Sequence, residues 1–159
     1  MDLFFLRHGE AGDSDTWAGP DGERPLTAAG RLELEALVEV LIPQRMRLDN
    51  LVSSPLARAY QTAGIVAQRT SLGVEVDDLL RPGFDLNRLR QVLRRYPAAR
   101  RVMLVGHEPD FSATISALIG GGSLTIKKGG LARVRLPDVR EARGTLLWLT
   151  SPGLLLGDN

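Results

Sequence analysis

Short, continuous apolar runs that alternate with helical spacing constrain the fold of this chain more than any other sequence feature. The runs at 3–6 and 102–105 are too short for a typical helix and are characteristic of strands buried on both faces of a sheet. Between them, apolar residues recur at the i, i+3, i+4 and i+7 spacing of an amphipathic helix, at Leu34, Leu37, Val38 and Leu41. Strands that alternate with helices predict an α/β fold, here a three-layer α/β/α sandwich around a mostly parallel sheet.

Capping residues and spacing predict the remaining elements. Thr27 is a favourable N-cap for the first helix, and Pro43 ends that helix. Ser54 as N-cap and Pro55 at the first helical position predict a second helix, with Arg58 in its first turn. The other predicted elements are a strand at Leu51-Val52, a helix marked by Leu86, Leu89 and Leu93, a helix marked by Phe111, Ile115 and Leu118 and stopped by the glycines at 120–122, and late strands at 132–136 and 145–149.

The composition excludes several classes of protein. A chain of 159 residues that is 43% hydrophobic and 25% charged is expected to fold as one domain over residues 1–159. Its 20 Lys plus Arg and 19 Asp plus Glu give a net charge of +1, too small for the broad basic surface of a nucleic-acid-binding protein. The absence of cysteine removes disulfides and thiolate catalysis. Together with the short N-terminal apolar run, it predicts a cytoplasmic protein that does not associate with membranes.

The chain has two histidines, and both occupy the same kind of position. His8 and His107 each follow a predicted buried strand and adjoin a glycine. In parallel α/β sheets the ligand site lies at the carboxyl ends of the strands. Either histidine alone is as readily explained as a structural residue at a strand end. Their shared position predicts that they meet at one site.

Two arginines indicate that the ligand at this site is a phosphate group. Arg7 adjoins His8, and Arg58 lies in the first turn of a predicted helix, where free N–H groups and the helix dipole favour an anion. A planar guanidinium can donate two hydrogen bonds to phosphate oxygens. Most helical arginines are simply solvated, so the position in the Ser-Pro-x-x-Arg turn is what distinguishes Arg58.

Four segments together resemble a known family. They are Arg7-His8-Gly9-Glu10, Arg24-Pro25-Leu26-Thr27 with Gly30, the Ser-Ser-Pro-Leu-Ala-Arg-Ala-Tyr-Gln-Thr-Ala segment at 53–63, and Gly106-His107. In the order and spacing of these segments the chain resembles the histidine phosphatase, or phosphoglycerate mutase-like, superfamily from Leu3 to about Pro152. Its short length, the segment at 80–83 and the Ser151-Pro152 pair are most similar to the SixA-type phosphohistidine phosphatases.

The resemblance implies a phosphoglycerate mutase-like fold and assigns roles to the residues above. His8 would be the nucleophile, and Arg7, Arg58 and His107, with Gly9 beside them, would form the phosphate pocket. A neutral imidazole can attack phosphorus if its other nitrogen is held as a donor, and we expect a backbone carbonyl near the Gly9 turn to hold it. In-line positioning and charge neutralisation suffice for phosphoryl transfer, so neither a metal nor another cofactor is expected.

The sequence contains no evident general acid to protonate the leaving group. Asp85 and Glu108 are the candidates, with Glu10 behind them, and each is also explained as a solvated carboxylate. A weak or absent acid favours phosphohistidine as the substrate, because its imidazole leaves easily. The expected partner is therefore a phosphorylated histidine-containing protein. The alternatives are a small phosphorylated metabolite as the substrate and a catalytically idle module that only binds phosphate.

Overall fold

The computed structural model describes residues 1–42, 46–138, 140–141 and 143–157. In these residues, strands and helices alternate along most of the chain. The strands are β1 (Asp2–Arg7), β2 (Asn50–Ser53), β3 (Val74–Val76), β4 (Arg101–Gly106), β5 (Leu131–Arg135) and β6 (Thr145–Thr150). The helices are α1 (Ala28–Leu41), α2 (Ala57–Thr70), α3 (Leu86–Leu93), α4 (Asp110–Leu118) and α5 (Pro152–Leu156).

The strands form one sheet in the order β3-β2-β4-β1-β5-β6. The four strands β3, β2, β4 and β1 are parallel to one another, whereas β5 pairs antiparallel with both β1 and β6. The sheet is therefore mostly parallel, as predicted. β1 and β4 are neighbours near its centre, and their register pairs Arg7 with Gly106, so His8 and His107 leave the sheet side by side.

Helices cover both faces of the sheet, which confirms the three-layer α/β/α sandwich. On one face, Leu3 and Phe5 of β1 pack in a core with residues of α3 and α4. On the other face, Phe4 and Leu6 pack in a second core with residues of α1 and α2. Successive side chains of a strand point to opposite faces, so a continuous apolar run is what a strand between two helical layers requires.

The first two predicted helix starts have different outcomes. The Thr27 cap is confirmed, since its Oγ1 accepts a hydrogen bond from the Gly30 N–H at 3.0 Å. Pro43, the predicted end of α1, lies outside the described residues. The predicted cap at Ser54 is wrong: α2 begins at Ala57, and Leu56 is its N-cap residue. The Ser54 N–H still donates to the Val105 carbonyl at 2.9 Å, so strand-like pairing continues past β2. Arg58 nonetheless lies in the first turn of α2.

The later predictions are close to the observed elements. α3, α4, β5 and β6 lie where spacing placed them, and α4 ends just before three glycines whose φ angles are 87°, 120° and 107° at 120–122. The short strand β3 and the short helix α5 were not predicted. None of the helices in the described part of the chain combines the length and the apolar character needed to span a membrane.

Candidate active site

A polar cavity of about 580 Å³ opens at the carboxyl ends of β1 and β4. Its lining includes both histidines and four cationic side chains, those of Arg7, Arg24, Arg58 and Lys128. The structure thus brings together His8, His107, Arg7 and Arg58, which come from three separate segments of the sequence. The centroids of the two imidazole rings are 5.3 Å apart.

Both ring nitrogens of His8 have partners, one a backbone carbonyl and the other the guanidinium group of Arg58. Its backbone N–H donates to the Gly106 carbonyl at 3.1 Å, and its side chain is 7% exposed. Nδ1 lies 2.7 Å from the Gly9 carbonyl oxygen, which can only accept, so Nδ1 carries the hydrogen of the neutral ring. The expected backbone partner near Gly9 is therefore present. Nε2 carries no hydrogen, and its lone pair accepts a hydrogen bond from Nε of Arg58 at 3.3 Å.

The surroundings of His8 favour its neutral form. Burial lowers its pKa from 6.5 to about 4, and the positive charges of Arg58, Arg7 and Arg24 lower this pKa in the same direction. The hydrogen bond to Gly9 opposes the shift without reversing it. At neutral pH the Nε2 atom is therefore unprotonated, which is the state that a nucleophile needs.

Arg58 is buried and bound by a residue that the sequence analysis did not single out. Only 5% of Arg58 is exposed. Its Nη1 donates to the backbone carbonyl of Asp21 at 2.8 Å, and its Nη2 donates to Asp21 Oδ2 at 3.0 Å. The other carboxylate oxygen of Asp21 accepts from Nε of Arg24 at 3.0 Å. Hydrogen bonds from Arg24 and the charge of Arg58 lower the pKa of Asp21, so one carboxylate fixes two pocket arginines.

Arg7 and Gly9 have largely structural contacts. Nη1 of Arg7 donates to the Ile126 carbonyl at 2.8 Å, which leaves other guanidinium nitrogens for a ligand. The Gly9 N–H donates to Thr62 Oγ1 at 3.2 Å and is not part of the cavity lining. Gly9 therefore lies outside the cavity lining, and its expected contact with substrate stays a prediction. Its carbonyl orients His8, and an added Cβ would lie 2.4 Å from Leu34 Cδ1.

His107 is held through the opposite ring nitrogen. Its Nε2 lies 2.8 Å from the hydroxyl oxygen of Ser54, and 4% of the residue is exposed. Burial, with the charges of His8 and Arg58, lowers the pKa of His107 from 6.5 to about 3. Its Nδ1 is buried and has no hydrogen-bond partner among the described residues. The ring is therefore neutral, with one nitrogen unsatisfied.

The structure separates the two candidate acids. Glu108 lines the cavity, and burial raises its pKa above 4.5. Its Oε1 accepts from the Ser112 N–H at 3.2 Å, which leaves Oε2 free of that bond. Asp85 is exposed and outside the cavity lining. Its Oδ1 accepts from the Arg88 N–H at 2.8 Å and caps α3, so it is not brought to the site.

Glu10 also lines the cavity but is an ionised partner of a lysine. Its two carboxylate oxygens lie 2.9 and 2.7 Å from Nζ of Lys128, and Oε1 also accepts from the Gly12 N–H. Partial burial opposes ionisation, but the hydrogen bond and charge of Lys128 outweigh it and lower the pKa of Glu10. Nothing in the sequence pointed to Lys128. Arg24 lies in the Arg24-Pro25-Leu26-Thr27 segment, one of the four segments on which the family resemblance rests.

The described residues contain no cluster of three or more histidine and carboxylate side chains that could hold a metal ion. The cavity lining includes three guanidinium and two imidazole groups, which suit an anion, beside the carboxyl groups of Glu10, Asp13 and Glu108.

Comparison with known proteins identifies the family. The family model of the histidine phosphatase superfamily (branch 1) matches residues 3–83, which include β1, the Arg24 segment and the first turn of α2. The chain belongs to this superfamily.

Individual relatives match over nearly the whole chain. A protein of Picosynechococcus sp. (strain ATCC 27264 / PCC 7002 / PR-6) is 36% identical, over 98% of this chain and 99% of the relative. Phosphohistidine phosphatase SixA of Escherichia coli (strain K12) is 27% identical, over 96% of this chain and 94% of that protein. In the solved structure of the protein histidine phosphatase SixA complexed with tungstate, the protein shares 28% sequence identity with this chain. The two structures superpose with a TM-score of 0.86, over 98% of this chain and 99% of that one. The predicted family and its SixA-type resemblance are confirmed.

Proposed function

We propose that this chain is a phosphatase that works through a phosphohistidine intermediate on His8. One observation carries the proposal: the neutral imidazole of His8 has Nδ1 fixed by the Gly9 carbonyl and directs an unprotonated Nε2 toward a buried arginine in the cavity. A buried, oriented lone pair beside guanidinium groups suits nucleophilic attack on a phosphoryl group.

The proposed reaction has two steps. The Nε2 lone pair of His8 forms a bond to phosphorus as the bond from phosphorus to the leaving group breaks, and that bonding pair departs with the leaving group. Water then attacks the phosphorus, the N–P bond breaks, and its electron pair returns to Nε2. Inorganic phosphate is released, and the proton lost by water goes to solvent or to the phosphate itself. Arg7, Arg58 and His107 stabilise the charge on the transferring oxygens in both steps.

The proposed reaction does not use a metal ion. Guanidinium groups supply the positive charge that Mg²⁺ supplies in many phosphoryl-transfer enzymes. Incubation with excess chelator should leave the rate of hydrolysis unchanged. Loss of activity in chelator, restored by adding a divalent ion, would contradict this part of the proposal.

We propose a phosphorylated histidine-containing protein as the substrate. The similarity to SixA over nearly the full length supports this choice, and the tungstate in that relative's structure is a tetrahedral oxyanion like phosphate. The cavity is open and strongly polar, which allows a phosphorylated side chain on a protein surface to enter it. An imidazole leaving group needs little help to depart, so the reaction makes small demands on a general acid.

One observation favours a second candidate, a small phosphate monoester. Glu108 lines the cavity with a raised pKa, and a carboxylic acid so placed can protonate an alkoxide leaving group. Phosphohistidine does not require this help, whereas an alkyl phosphate does.

A substrate panel distinguishes the two candidates. The values of kcat/KM are measured for a phosphorylated histidine-containing protein, for free phosphohistidine and for sugar and nucleotide monophosphates, each with the parent and with His8→Ala. The proposal predicts the highest value for the protein substrate and no turnover by His8→Ala. A higher value for one metabolite would move the assignment to a small-molecule phosphatase. Absence of turnover on every substrate would contradict the proposal and support a phosphate-binding module.

A further inference from the structure

Ser54 is a buried hydroxyl that touches the active site without lining it. It follows β2, it is completely inaccessible to solvent, and its N–H is bonded to β4 through Val105. Its Oγ lies 2.8 Å from Nε2 of His107. The backbone N–H of Leu56 donates to the same oxygen at 3.4 Å. The hydroxyl therefore connects the end of β2 to the histidine at the end of β4.

The contacts of Ser54 favour one direction for this hydrogen bond. Buried hydroxyl groups donate their hydrogen wherever an acceptor is available. Within the described residues, Nε2 of His107 is the only possible acceptor in contact with Ser54 Oγ, because the other contact, from Leu56, is a donor. A hydroxyl hydrogen directed at Nε2 satisfies the serine, and a neutral imidazole whose Nε2 accepts carries its own hydrogen on Nδ1.

This arrangement explains the unsatisfied nitrogen of His107. Nδ1 is buried and has no partner among the described residues. A buried N–H without an acceptor is costly unless a ligand satisfies it. The ring lines the cavity, and Nε2 is already occupied, so Nδ1 is the nitrogen left for a bound oxyanion.

We propose that Ser54 is a positioning residue that holds His107 in the Nδ1–H tautomer, so that His107 donates a hydrogen bond to an oxygen of the transferring phosphoryl group. In the other tautomer, the Nδ1 lone pair would face the oxyanion and repel it. The inference rests on the proposed function for its catalytic meaning, but the tautomer itself is a property of the resting protein.

The neighbouring Ser53 provides a matched control. It is equally buried and also carries a hydroxyl, but its Oγ donates to the Ser54 backbone carbonyl at 2.9 Å. Ser53→Ala and Ser54→Ala therefore remove the same atom from adjacent buried positions. Only the second substitution removes the group that contacts His107.

The first measurement is nitrogen NMR of protein labelled with ¹⁵N in the histidine rings. The chain has only two histidines, so His8→Gln assigns the spectrum. We expect His107 in the resting parent and in Ser53→Ala to be protonated at Nδ1 and unprotonated at Nε2. In Ser54→Ala we expect a substantial Nε2–H population. A parent His107 protonated at Nε2 would overturn the inference, as would a tautomer that is unchanged in Ser54→Ala.

The second measurement is the affinity for vanadate, determined by calorimetry without turnover. Ser54→Ala should weaken binding about 10-fold, the effect expected when one net hydrogen bond is lost, and Ser53→Ala should change it less than about twofold. Equal effects of the two substitutions would overturn the inference. Neither measurement depends on hydrolysis, so a protein that hydrolyses nothing but has the expected tautomer and vanadate affinities would refute the proposed function and leave the role of Ser54 intact.

Discussion

The carboxyl ends of β1 and β4 each place a histidine and a glutamate in the lining of one cavity, yet the surroundings of the two histidines differ. At the end of β1, a backbone carbonyl holds Nδ1 of His8 and leaves Nε2 unprotonated, with its lone pair directed at Nε of Arg58. At the end of β4, the Ser54 hydroxyl occupies Nε2 of His107 and leaves Nδ1 available. A carbonyl can only accept and a hydroxyl can donate, so one ring is suited to attack phosphorus and the other to bind its oxygens.

The glutamates that follow these histidines differ in the same way. Glu10 is paired with Lys128, which helps to lower its pKa and keep it ionised. Glu108 is half-buried, no cationic side chain in the described part of the chain is hydrogen-bonded to it, and burial raises its pKa. Two strand ends with similar local sequences thus yield the proposed nucleophile, beside a glutamate of lowered pKa, and the proposed donor, beside a glutamate of raised pKa. The partner of each side chain, rather than its residue type, determines the role.

The largest expected effect separates the two histidines. His8→Ala should lower kcat/KM by on the order of 10³-fold or more, because it removes the nucleophile and the covalent route with it. His107→Ala should cost about 10- to 100-fold, because it removes one stabilising donor. Steady-state kinetics on aryl phosphates measures both values. If His107→Ala were the more damaging substitution, the assignment of the two strand ends would be reversed.

A smaller effect separates the two glutamates. Glu108→Gln should reduce turnover of phosphates with basic leaving groups by about 10²-fold, since the general acid is lost, and should change phosphohistidine turnover little. Glu10→Gln is the matched control and should leave the dependence on leaving-group pKa unchanged. Rates across aryl phosphates that differ in phenol pKa measure this dependence. If Glu108→Gln did not steepen the dependence, Glu108 would have no role as the acid.

The last effect is on stability rather than on catalysis, and it follows from the pKa values of the histidines. Folding lowers the pKa of His8 from 6.5 to about 4 and that of His107 to about 3. Between these values and 6.5 the unfolded state binds more protons, so the free energy of unfolding must fall as the pH falls. Each histidine contributes a slope of up to about 1.4 kcal/mol per pH unit.

Urea unfolding of the parent and of His107→Gln at pH values from 7 to 4 tests this slope. The difference in unfolding free energy between the two proteins should change steadily below pH 6.5, with the parent losing stability faster. A difference that is independent of pH would show that His107 has an ordinary pKa in the folded protein.

The strand ends and helix starts that form this site depend mainly on neighbouring residues, so the sequence predicts most of them. The apolar runs predict the strands, so both histidines were expected at strand ends, where the structure has them. Asp85 could have been recognised as the N-cap of α3, because it immediately precedes the helix at Leu86. Ser54 was misassigned as a cap because its pairing with Val105 and His107 joins residues about 50 positions apart.

Contacts between distant segments could not be predicted in this way. Asp21 and Arg58 are 37 positions apart, and Lys128 and Glu10 are 118 positions apart. Each pair depends on how loops return to the same edge of the sheet. The pKa shifts that distinguish Glu10 from Glu108 depend on burial and on such contacts. Residue type and spacing therefore could not show which of the two glutamates is the better candidate for the general acid.

Direct detection of the phosphorylated enzyme tests the central assignment of His8 as the nucleophile. The protein is mixed with a labelled aryl phosphate, quenched in alkali, and the label is located by peptide mass spectrometry. The account predicts phosphate on His8 that is stable in alkali and labile in acid, present in His107→Ala and absent in His8→Ala. Phosphate located on His107, or turnover by His8→Ala at a rate close to that of the parent, would contradict it.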